Sequence, residues 1–258
     1  MQVGLIGAGN MARALARGWG DPVLCSDAGS GRAAALVEEL GGEAFDSNLE
    51  VARRADVVVL CHKPAQLERV AAEIAGEAKA VVSVLGGVPW GKIQAAYPGV
   101  PTFRTMPNTP VEVRRGIVLL ALPHRPAQLS GPPADLEADV IALFERVATV
   151  VRVDEDKFEA ATAAMGVAPA YQALVAEAQI DAAVRHGLGA AIAAPLVTET
   201  MAGTAALLAE RGYDTLAVRR EVTSPGGSTA RGLAALERGG LRAAFHDAAD
   251  AVIGWSGK

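Results

Sequence analysis

The sequence predicts an α/β fold in which a doubly wound, mostly parallel sheet is followed by an all-helical region. Over residues 1–153, apolar or β-branched runs alternate with helical patterns. From residue 154 to 258 the strand signals stop, and alanine-rich helical patterns broken by glycine and proline take over. Because such alternation is typical of parallel strands joined by crossover helices, we place the domain boundary between residues 153 and 154.

The first region contains seven predicted strands, each a short apolar or β-branched run. Ligands bind such sheets at the carboxyl ends of the strands, so the residues that follow each strand are the ones to inspect. The predicted strands are 2–6, 22–26, 56–61, 80–84, 101–106, 117–121 and 149–153, with a helix at about 135–146 before the last of them.

A glycine-rich turn follows the first strand and opens a helix, with the sequence Gly7-Ala8-Gly9-Asn10-Met11-Ala12. In a dinucleotide-binding fold the first glycine makes the tight turn and the second lets the pyrophosphate approach the backbone. The third position needs only a small residue, which is alanine here. The pattern predicts a Rossmann-like domain, and we assign Gly7, Gly9, Asn10 and Met11 to cofactor binding.

The end of the second strand carries Ser26 and Asp27, which we also assign to the cofactor. An acidic residue at this point accepts hydrogen bonds from a free ribose 2′-hydroxyl and repels a 2′-phosphate, which favours NADH. Ser26, Ser30 and Arg32 surround the same position with groups that hold a phosphate, which favours NADPH. The residue types leave both cofactors open.

A second glycine loop lies near the other end of the chain, with the sequence Ser224-Pro225-Gly226-Gly227-Ser228-Thr229. It places backbone N–H groups and hydroxyls at the start of a predicted helix that ends at Gly239-Gly240, where the helix dipole favours an anion. This loop predicts a site for a small carboxylate. An ordinary turn with a helix N-cap explains the same residues.

Composition excludes several classes of function. Of the 258 residues 51% are hydrophobic and only 4% aromatic, so the core is expected to be aliphatic and alanine-rich. With a net charge of −5 and no basic run, the chain lacks the electrostatic features of a nucleic-acid-binding protein. The four histidines are scattered and none pairs with cysteine or histidine at ligand spacing, so we expect no metal site.

Cysteine usage and the start of the chain bear on localisation. Cys25 and Cys61 lie in apolar, strand-like runs, as buried free thiols do in a reducing compartment. The chain enters a strand at residue 2 without a signal-peptide pattern, and we find no stretch long enough to span a bilayer. We therefore expect a cytoplasmic protein without a membrane partner.

Four segments together resemble the pyrroline-5-carboxylate reductase family, and the resemblance covers nearly the whole chain. The last two are the most specific, because few dinucleotide folds carry both in this order. The segments are Gly7-Ala8-Gly9-Asn10-Met11-Ala12, Lys63-Pro64, Arg104-Thr105-Met106-Pro107-Asn108-Thr109-Pro110 and Ser224-Pro225-Gly226-Gly227-Ser228-Thr229.

The resemblance implies an N-terminal Rossmann domain, a C-terminal all-α dimerisation domain and reduction of a cyclic imine to proline. Reduced nicotinamide supplies the hydride, and the family often uses NADPH, so the resemblance favours NADPH while Asp27 argues for NADH. The resemblance also implies a homodimer, and in the family such dimers often associate into decamers. A monomeric helical bundle is the alternative reading of the alanine-rich half.

The resemblance also implies roles for individual residues. Ser224, Gly226, Gly227, Ser228 and Thr229 bind the substrate carboxylate, and Thr229, near the imine nitrogen, is the catalytic candidate as orienter or proton donor.

Glu210 matches a position near that loop, where it would stabilise a cationic nitrogen; a solvated charge at a helix end is the alternative. Two further segments line the nicotinamide side, although turn formation alone also explains their prolines. These are Lys63 with Pro64, and Met106, Pro107 and Asn108.

One segment departs from the family pattern. The chain reads Met165-Gly166-Val167-Ala168-Pro169-Ala170-Tyr171, where relatives usually have Ser-Gly-Ser-Gly-Pro-Ala-Tyr. Two hydroxyls beside the expected cofactor site are therefore missing, which keeps a different imine substrate open. A hydroxy-acid dehydrogenase is disfavoured because residues 158–186 contain no lysine, and a non-catalytic nucleotide-binding scaffold is a further alternative.

Overall fold

The computed structural model describes residues 1–122 and 132–253. They divide into two compact units, one formed by Met1–Pro169 and one that begins at Ala170. The first unit contains the whole sheet, and the second consists of helices and their connections.

The first unit is built on an eight-stranded sheet with the order β3-β2-β1-β4-β5-β6-β7-β8. Strands β1 to β6 are parallel, β7 is antiparallel to β6, and β8 is parallel to β7. The mostly parallel, doubly wound prediction is thus confirmed. The strands are β1 Val3–Ile6, β2 Val23–Ser26, β3 Gly42–Phe45, β4 Val57–Leu60, β5 Val81–Ser83, β6 Thr102–Pro107, β7 Gly116–Leu122 and β8 Ala148–Asp154.

Helices cover both faces of this sheet. One face packs Leu5, Val59 and Val82 against α1, α2 and α6, and the other packs Ile6, Val58 and Leu60 against α3, α4 and α5. A seventh helix, α7, packs on β7 through Phe158 and Leu119. The bounds are α1 Asn10–Trp19, α2 Arg32–Leu40, α3 Asn48–Arg54, α4 Leu67–Ile74, α5 Trp90–Ala96, α6 Ala134–Glu145 and α7 Phe158–Met165.

Strand register brings the predicted ligand-binding ends of the strands to one edge. Ile6 at the end of β1 pairs with Ser26 of β2 and Leu60 of β4. Ser83 at the end of β5 pairs with Leu60 on one side and Arg104 on the other. The glycine turn after β1 therefore begins level with the segments that follow β2 and β4.

The second unit is helical, as predicted for the C-terminal half. Its loop at residues 224–227 ends in a helix that starts at Ser228 and stops before Gly239, which confirms the expected helix limits. The helices are α8 Ala168–Arg185, which begins in the first unit, α9 Ala190–Glu210, α10 Thr215–Glu221, α11 Ser228–Arg238 and α12 Leu241–Ile253.

Helix α9 corrects one prediction. Its 21 residues are long and apolar enough to cross a bilayer, with a mean hydropathy of 1.4 over 18 residues of which 6% are buried. The statement that no stretch reaches spanning length is therefore wrong, because Pro195 does not end the helix and the hydroxyls of Thr198, Thr200 and Thr204 donate to helix carbonyls. One such helix is weak evidence for a membrane, because a helix covered by protein has the same composition.

Candidate cofactor and substrate sites

Gly7 occupies a position that only glycine fits. Its φ is +98°, and a Cβ there would lie 2.7 Å from the backbone nitrogen of His62 and 2.8 Å from the carbonyl carbon of Cys61. Its N–H donates to the Ser26 carbonyl over 2.9 Å, which ties the turn to β2. The turn after β1 is therefore fixed between the ends of β2 and β4.

Gly9 is glycine for a different reason. A Cβ built on it meets no atom nearer than the Cys61 carbonyl oxygen at 4.0 Å, so its side faces open space. Gly9 also precedes α1, whose first turn carries neither a side-chain cap nor an acidic residue. The amino end of α1 is thus open to an anion, and the loop fits the pyrophosphate of a dinucleotide.

Asn10 and Met11 form the first turn of α1. The Asn10 Oδ1 accepts a hydrogen bond from Arg13 Nη2 over 2.8 Å, which holds a cation near the helix start. Met11 is half-buried and packs against the core on the α1 face of the sheet. Their predicted contacts with cofactor stay predictions.

Ser26 and Asp27, at the end of β2, both use their polar groups in hydrogen bonds within the protein. The buried Ser26 hydroxyl donates to Asn48 Oδ1 over 2.7 Å. The Asp27 carboxylate accepts from the N–H groups of Gly29, Ser30 and Ala33 and from the Ser30 hydroxyl. Partial burial alone raises the pKa of Asp27, but these hydrogen bonds outweigh it and hold that pKa below its usual range.

The segment after β4 places Lys63 and Pro64 on the surface beside the glycine turn. Both residues are exposed, and Pro64 begins a 3₁₀ turn over Pro64–Gln66. The Lys63 N–H donates to Gln66 Oε1 over 3.2 Å, so the backbone at this strand end is held by its own turn. The Lys63 ammonium forms no ion pair with any residue that the structure describes.

His62 and the two cysteines are internal groups of this edge. The His62 Nδ1 lies 2.9 Å from the Lys63 carbonyl oxygen, and burial lowers the pKa of the ring more than that contact raises it. Burial raises the pKa of the Cys25 thiol to about 12 and also raises that of Cys61, and both are free thiols. Over 1–122 and 132–253, no group of three or more His, Cys, Asp or Glu is arranged to hold a metal ion.

The loop after β6 uses Asn108 as an internal brace. Its Oδ1 accepts from the Ile117 N–H over 2.9 Å, and its Nδ2 donates to the Met165 carbonyl over 3.3 Å. Pro107 is buried, whereas Met106 is half-buried and packs in the cluster of Leu119 and Met165. These contacts show that the loop is held by the protein itself, and cofactor contacts by Met106, Pro107 and Asn108 stay predictions.

Met165, the first departure from the family pattern, is a core residue in this structure. Only 9% of it is exposed, and it packs with Phe158, Leu119 and Ala121. Its side chain therefore fills the interior of the first unit. The exchange of serine for methionine at this position adds apolar packing between α7 and β7.

Arg104 is a structural feature that the sequence analysis missed. Its guanidinium is 3% exposed, lies 2.6 Å from Glu155 Oε1, contacts Glu159 and stacks on the Phe158 ring with a 4.0 Å separation from the centroid. Glu155 also accepts from the Trp90 N–H over 2.9 Å. The cluster fixes the start of α7 to β6. In the sequence, the acidic residues from 154 onward were the sign that a buried cation needed partners.

The predicted carboxylate loop lies in the second unit. Gly226 has φ of +69° with open space on its Cβ side, and its carbonyl accepts from Arg231 Nη2 over 3.1 Å. Gly227 precedes α11, and a Cβ on it would lie 2.4 Å from Ser224 Oγ. No side chain caps α11, so its amino end is available to an anion, as at α1.

The other substrate candidates surround this helix start or lie on α9. Ser228 is exposed and Thr229 half-exposed in the first turn of α11, where they bring hydroxyls to the open amino end. Glu210 is exposed as the last residue of α9. The cofactor candidates thus all belong to the first unit, and the substrate candidates all belong to the second.

Family models and relatives agree with this geometry. Residues 155–256 match a model described as pyrroline-5-carboxylate reductase dimerisation, and residues 2–87 match one described as NADP oxidoreductase, coenzyme F420-dependent. Pyrroline-5-carboxylate reductase from Synechocystis is 36% identical over 98% of this chain and 96% of that protein. This chain belongs to the pyrroline-5-carboxylate reductase family.

Other reductases of this family confirm the assignment over the full length. The enzyme from Arabidopsis thaliana is 33% identical over 96% of this chain and 91% of that protein. A pyrroline-5-carboxylate reductase structure from Coxiella burnetii is 30% identical, covers 99% of this chain and 97% of that one, and has a TM-score of 0.84. The predicted fold class and family are therefore both confirmed.

Membership of the pyrroline-5-carboxylate reductase family also bears on cofactor and assembly. A Plasmodium falciparum pyrroline carboxylate reductase structure with NADP bound is 25% identical, covers 99% of this chain and 97% of that one, and has a TM-score of 0.86. The chain is accordingly an NADP-dependent type of oxidoreductase, and the dimerisation model indicates that it oligomerises.

Proposed function

We propose that this chain reduces Δ1-pyrroline-5-carboxylate to L-proline with NADPH or NADH, the last step of proline biosynthesis. One observation carries the proposal: in a chain of this family, a glycine loop leads into the amino end of α1 in one unit and into that of α11 in the other, and neither first turn holds an acidic residue. A dinucleotide and a substrate carboxylate are the two anions that this reaction requires.

The first loop fits the cofactor. Bound reduced nicotinamide supplies the hydride that the imine carbon receives. Gly7 and Gly9 would hold the pyrophosphate at α1 together with Asn10 and Met11, and Ser26 and Asp27 would lie toward the adenosine ribose. Lys63, Pro64 and the Met106–Asn108 segment complete the cofactor set at the ends of β4 and β6.

The second loop would bind and orient the substrate. Gly226 and Ser228 would offer backbone N–H groups to the carboxylate, while the Gly227 N–H donates to the Ser224 carbonyl over 3.1 Å and closes the turn beside it. Thr229 would hold a hydrogen bond to the ring nitrogen and so fix the orientation of the imine for reduction. Glu210 is available to stabilise the cationic nitrogen, since its carboxylate is exposed.

The finer assembly and compartment belong to the same proposal. The apolar, exposed surface of α9 supports an intertwined homodimer, and dimers would associate further into a decamer. A cytoplasmic location and no membrane or nucleic-acid partner are expected. The domain boundary between 153 and 154 agrees with the family-model match that begins at residue 155, whereas the compact units divide after Pro169.

The direct test mixes the purified protein with Δ1-pyrroline-5-carboxylate and follows both nicotinamide oxidation and proline formation. Equimolar amounts of oxidised nicotinamide and proline support the proposal. Oxidation with another cyclic imine but none with this substrate would support the alternative imine reductase. Cofactor binding without turnover on an imine panel would support a non-catalytic homologue.

A further inference from the structure

The carboxylate of Asp27 is already occupied by protein donors. Its Oδ1 accepts from the N–H groups of Gly29 and Ser30 over 2.8 and 2.9 Å. Its Oδ2 accepts from the Ser30 hydroxyl over 2.8 Å and from the Ala33 N–H over 2.9 Å. Four donors on two oxygens use the ordinary acceptor capacity of a carboxylate, so little remains for two ribose hydroxyls.

These four hydrogen bonds organise a loop. They connect the end of β2 to the first turn of α2 and enclose the positive-φ residues Gly29 and Gly31. Because the donors are backbone N–H groups and a hydroxyl, they also disperse the negative charge of Asp27 within the loop. The residue that normally rejects a 2′-phosphate is thus engaged by the donors of its own loop.

The hydroxyl groups near this position are also engaged. The Ser26 hydroxyl is buried and donates to Asn48, and the Ser30 hydroxyl donates its proton to Asp27. Neither is free to donate a hydrogen bond to a phosphate oxygen without giving up its present partner.

Arg32 remains as the polar side chain of the loop that has no internal partner. It is the first residue of α2 and is exposed. Across the described ranges 1–122 and 132–253, its guanidinium forms no ion pair or hydrogen bond. An unpaired arginine beside the ribose end of a dinucleotide site carries the charge and the planar donors that a phosphate monoester needs.

We propose that Asp27 positions the 27–33 loop without contacting the ribose, and that Arg32 selects the cofactor by binding the 2′-phosphate of NADPH. This inference rests on the proposed function, because it takes the glycine turn after β1 as the dinucleotide site. It reverses the expectation that Asp27 opposes NADPH. The acidic residue shapes the loop, and the arginine after it sets the specificity.

Calorimetric titration with NADP⁺ and NAD⁺ tests the inference without using turnover. The proteins are the full chain, R32Q, D27N and the control R53Q, which removes an exposed arginine from α3. In R32Q the affinity for NADP⁺ falls at least tenfold while that for NAD⁺ stays within twofold. R53Q changes neither affinity.

D27N separates a positioning role from ribose contact. In D27N an amide NH₂ group replaces the oxygen that accepts from the Ala33 N–H. Two donors then face each other, so this hydrogen bond is lost and the loop is less firmly held. We expect the melting temperature to fall by about 2–4 °C, and the two affinities to fall together with their ratio within threefold. The same titrations with adenosine 2′,5′-bisphosphate and with AMP test the adenosine half of the cofactor alone. We expect the four proteins to rank in the same order of affinity for adenosine 2′,5′-bisphosphate as for NADP⁺.

Two results with the variants overturn the inference. One is an R32Q protein that binds NADP⁺ as tightly as the parent chain, and the other is a D27N protein whose preference moves tenfold toward NADP⁺ with unchanged melting. A parent chain that reduces Δ1-pyrroline-5-carboxylate but binds both dinucleotides equally sinks the inference alone. A parent chain that prefers NADP⁺ through Arg32 yet does not reduce this imine sinks the proposed function alone.

Discussion

The two compact units of this chain use their apolar side chains in opposite ways. In the first, both faces of the sheet are covered, and residues such as Leu5, Val59 and Leu60 are fully buried. Among the described residues from 170 to 253, the buried apolar side chains are Ala176, Ala193 and Val218. One unit therefore encloses its own core, whereas the other exposes most of its large apolar side chains.

The exposed apolar residues of the second unit extend over most of its helices. Ile192 is 55% and Leu196 is 57% exposed on α9, in a region rich in alanine. Small side chains let helices approach closely but cover little surface, so association supplies the missing burial. The match to a dimerisation model agrees with this difference.

The largest effect is expected from a core truncation in the first unit. Phe144 is 1% exposed and its ring centroid lies 5.9 Å from that of Trp19. Phe144→Ala is expected to lower the free energy of unfolding by about 3–5 kcal/mol, because it leaves a cavity in a closed core. Denaturant unfolding at two protein concentrations measures this loss, which should not depend on concentration.

The matched truncation in the second unit is Phe245→Ala. Phe245 is 40% exposed and forms an edge contact with Tyr171. The unfolding free energy that this variant loses should be largest at high protein concentration and shrink on dilution, because the burial comes from association and the parent chain then dissociates as well. Equal, concentration-independent losses for the two phenylalanines would break the comparison between the units.

A charge on α9 is expected to have the next largest effect. Leu196→Asp places a carboxylate on an exposed apolar helix, and we expect the dissociation constant of the oligomer to rise about a hundredfold. Light scattering across a dilution series measures it. Val113→Asp, at a residue 69% exposed in the first unit, is the control and should leave the mass unchanged. An oligomer that survives Leu196→Asp would mean that another surface joins the copies.

A matched pair of site variants tests whether the units divide the ligands between them. Gly9→Ala adds a methyl into open space, so it should keep the fold and reduce dinucleotide affinity about tenfold. Thr229→Ala should keep dinucleotide affinity and lower kcat/KM for the imine by about ten- to a hundredfold, the loss of one or two hydrogen bonds.

Titration calorimetry and steady-state kinetics on both variants make the distinction. The matching control is Gly7→Ala, which should cost stability, because its φ is +98° and its Cβ would overlap backbone. If Thr229→Ala weakens dinucleotide binding as much as Gly9→Ala does, the ligands are not divided in this way.

The smallest expected effect concerns the two thiols of the first unit. Burial raises the pKa of Cys25 to about 12 and raises that of Cys61, so both stay protonated and unreactive near neutral pH. A disulfide reagent at pH 7.5 should react slowly with the parent chain and no faster with Leu196→Asp. Rapid labelling of the thiols in Leu196→Asp would show that the first unit needs the intact oligomer to keep Cys25 and Cys61 protected.

The fold was largely predictable because its pattern is strong. The seven predicted strands are apolar or β-branched runs, which single-sequence periodicity detects. Six of them are mostly buried, whereas the residues of β8 are exposed or half-buried. Strand β3, Gly42–Phe45, was missed because it lies at the sheet edge, where its residues are exposed or half-exposed and carry no apolar pattern. The length of α9 was missed because Pro195 and Glu199 interrupt the apolar run without ending the helix.

The site was less predictable, because its details depend on where side chains turn. Sequence placed Asp27 at the end of β2, but not the four donors that its carboxylate accepts from its own loop. Nor could it show that Asn108 braces Met165, or that Arg104 pairs with Glu155 some fifty positions away. Such contacts follow from tertiary packing, which spacing along the chain does not encode.

The most direct test of the difference between the units is the mass and melting of the parent chain over a thousandfold dilution. The account predicts particles of at least twice the mass of one chain, with a melting temperature that rises with protein concentration. A monomer at all concentrations with an unchanged melting temperature would contradict it, because the helices of the second unit would then be stable with their apolar surface exposed to water.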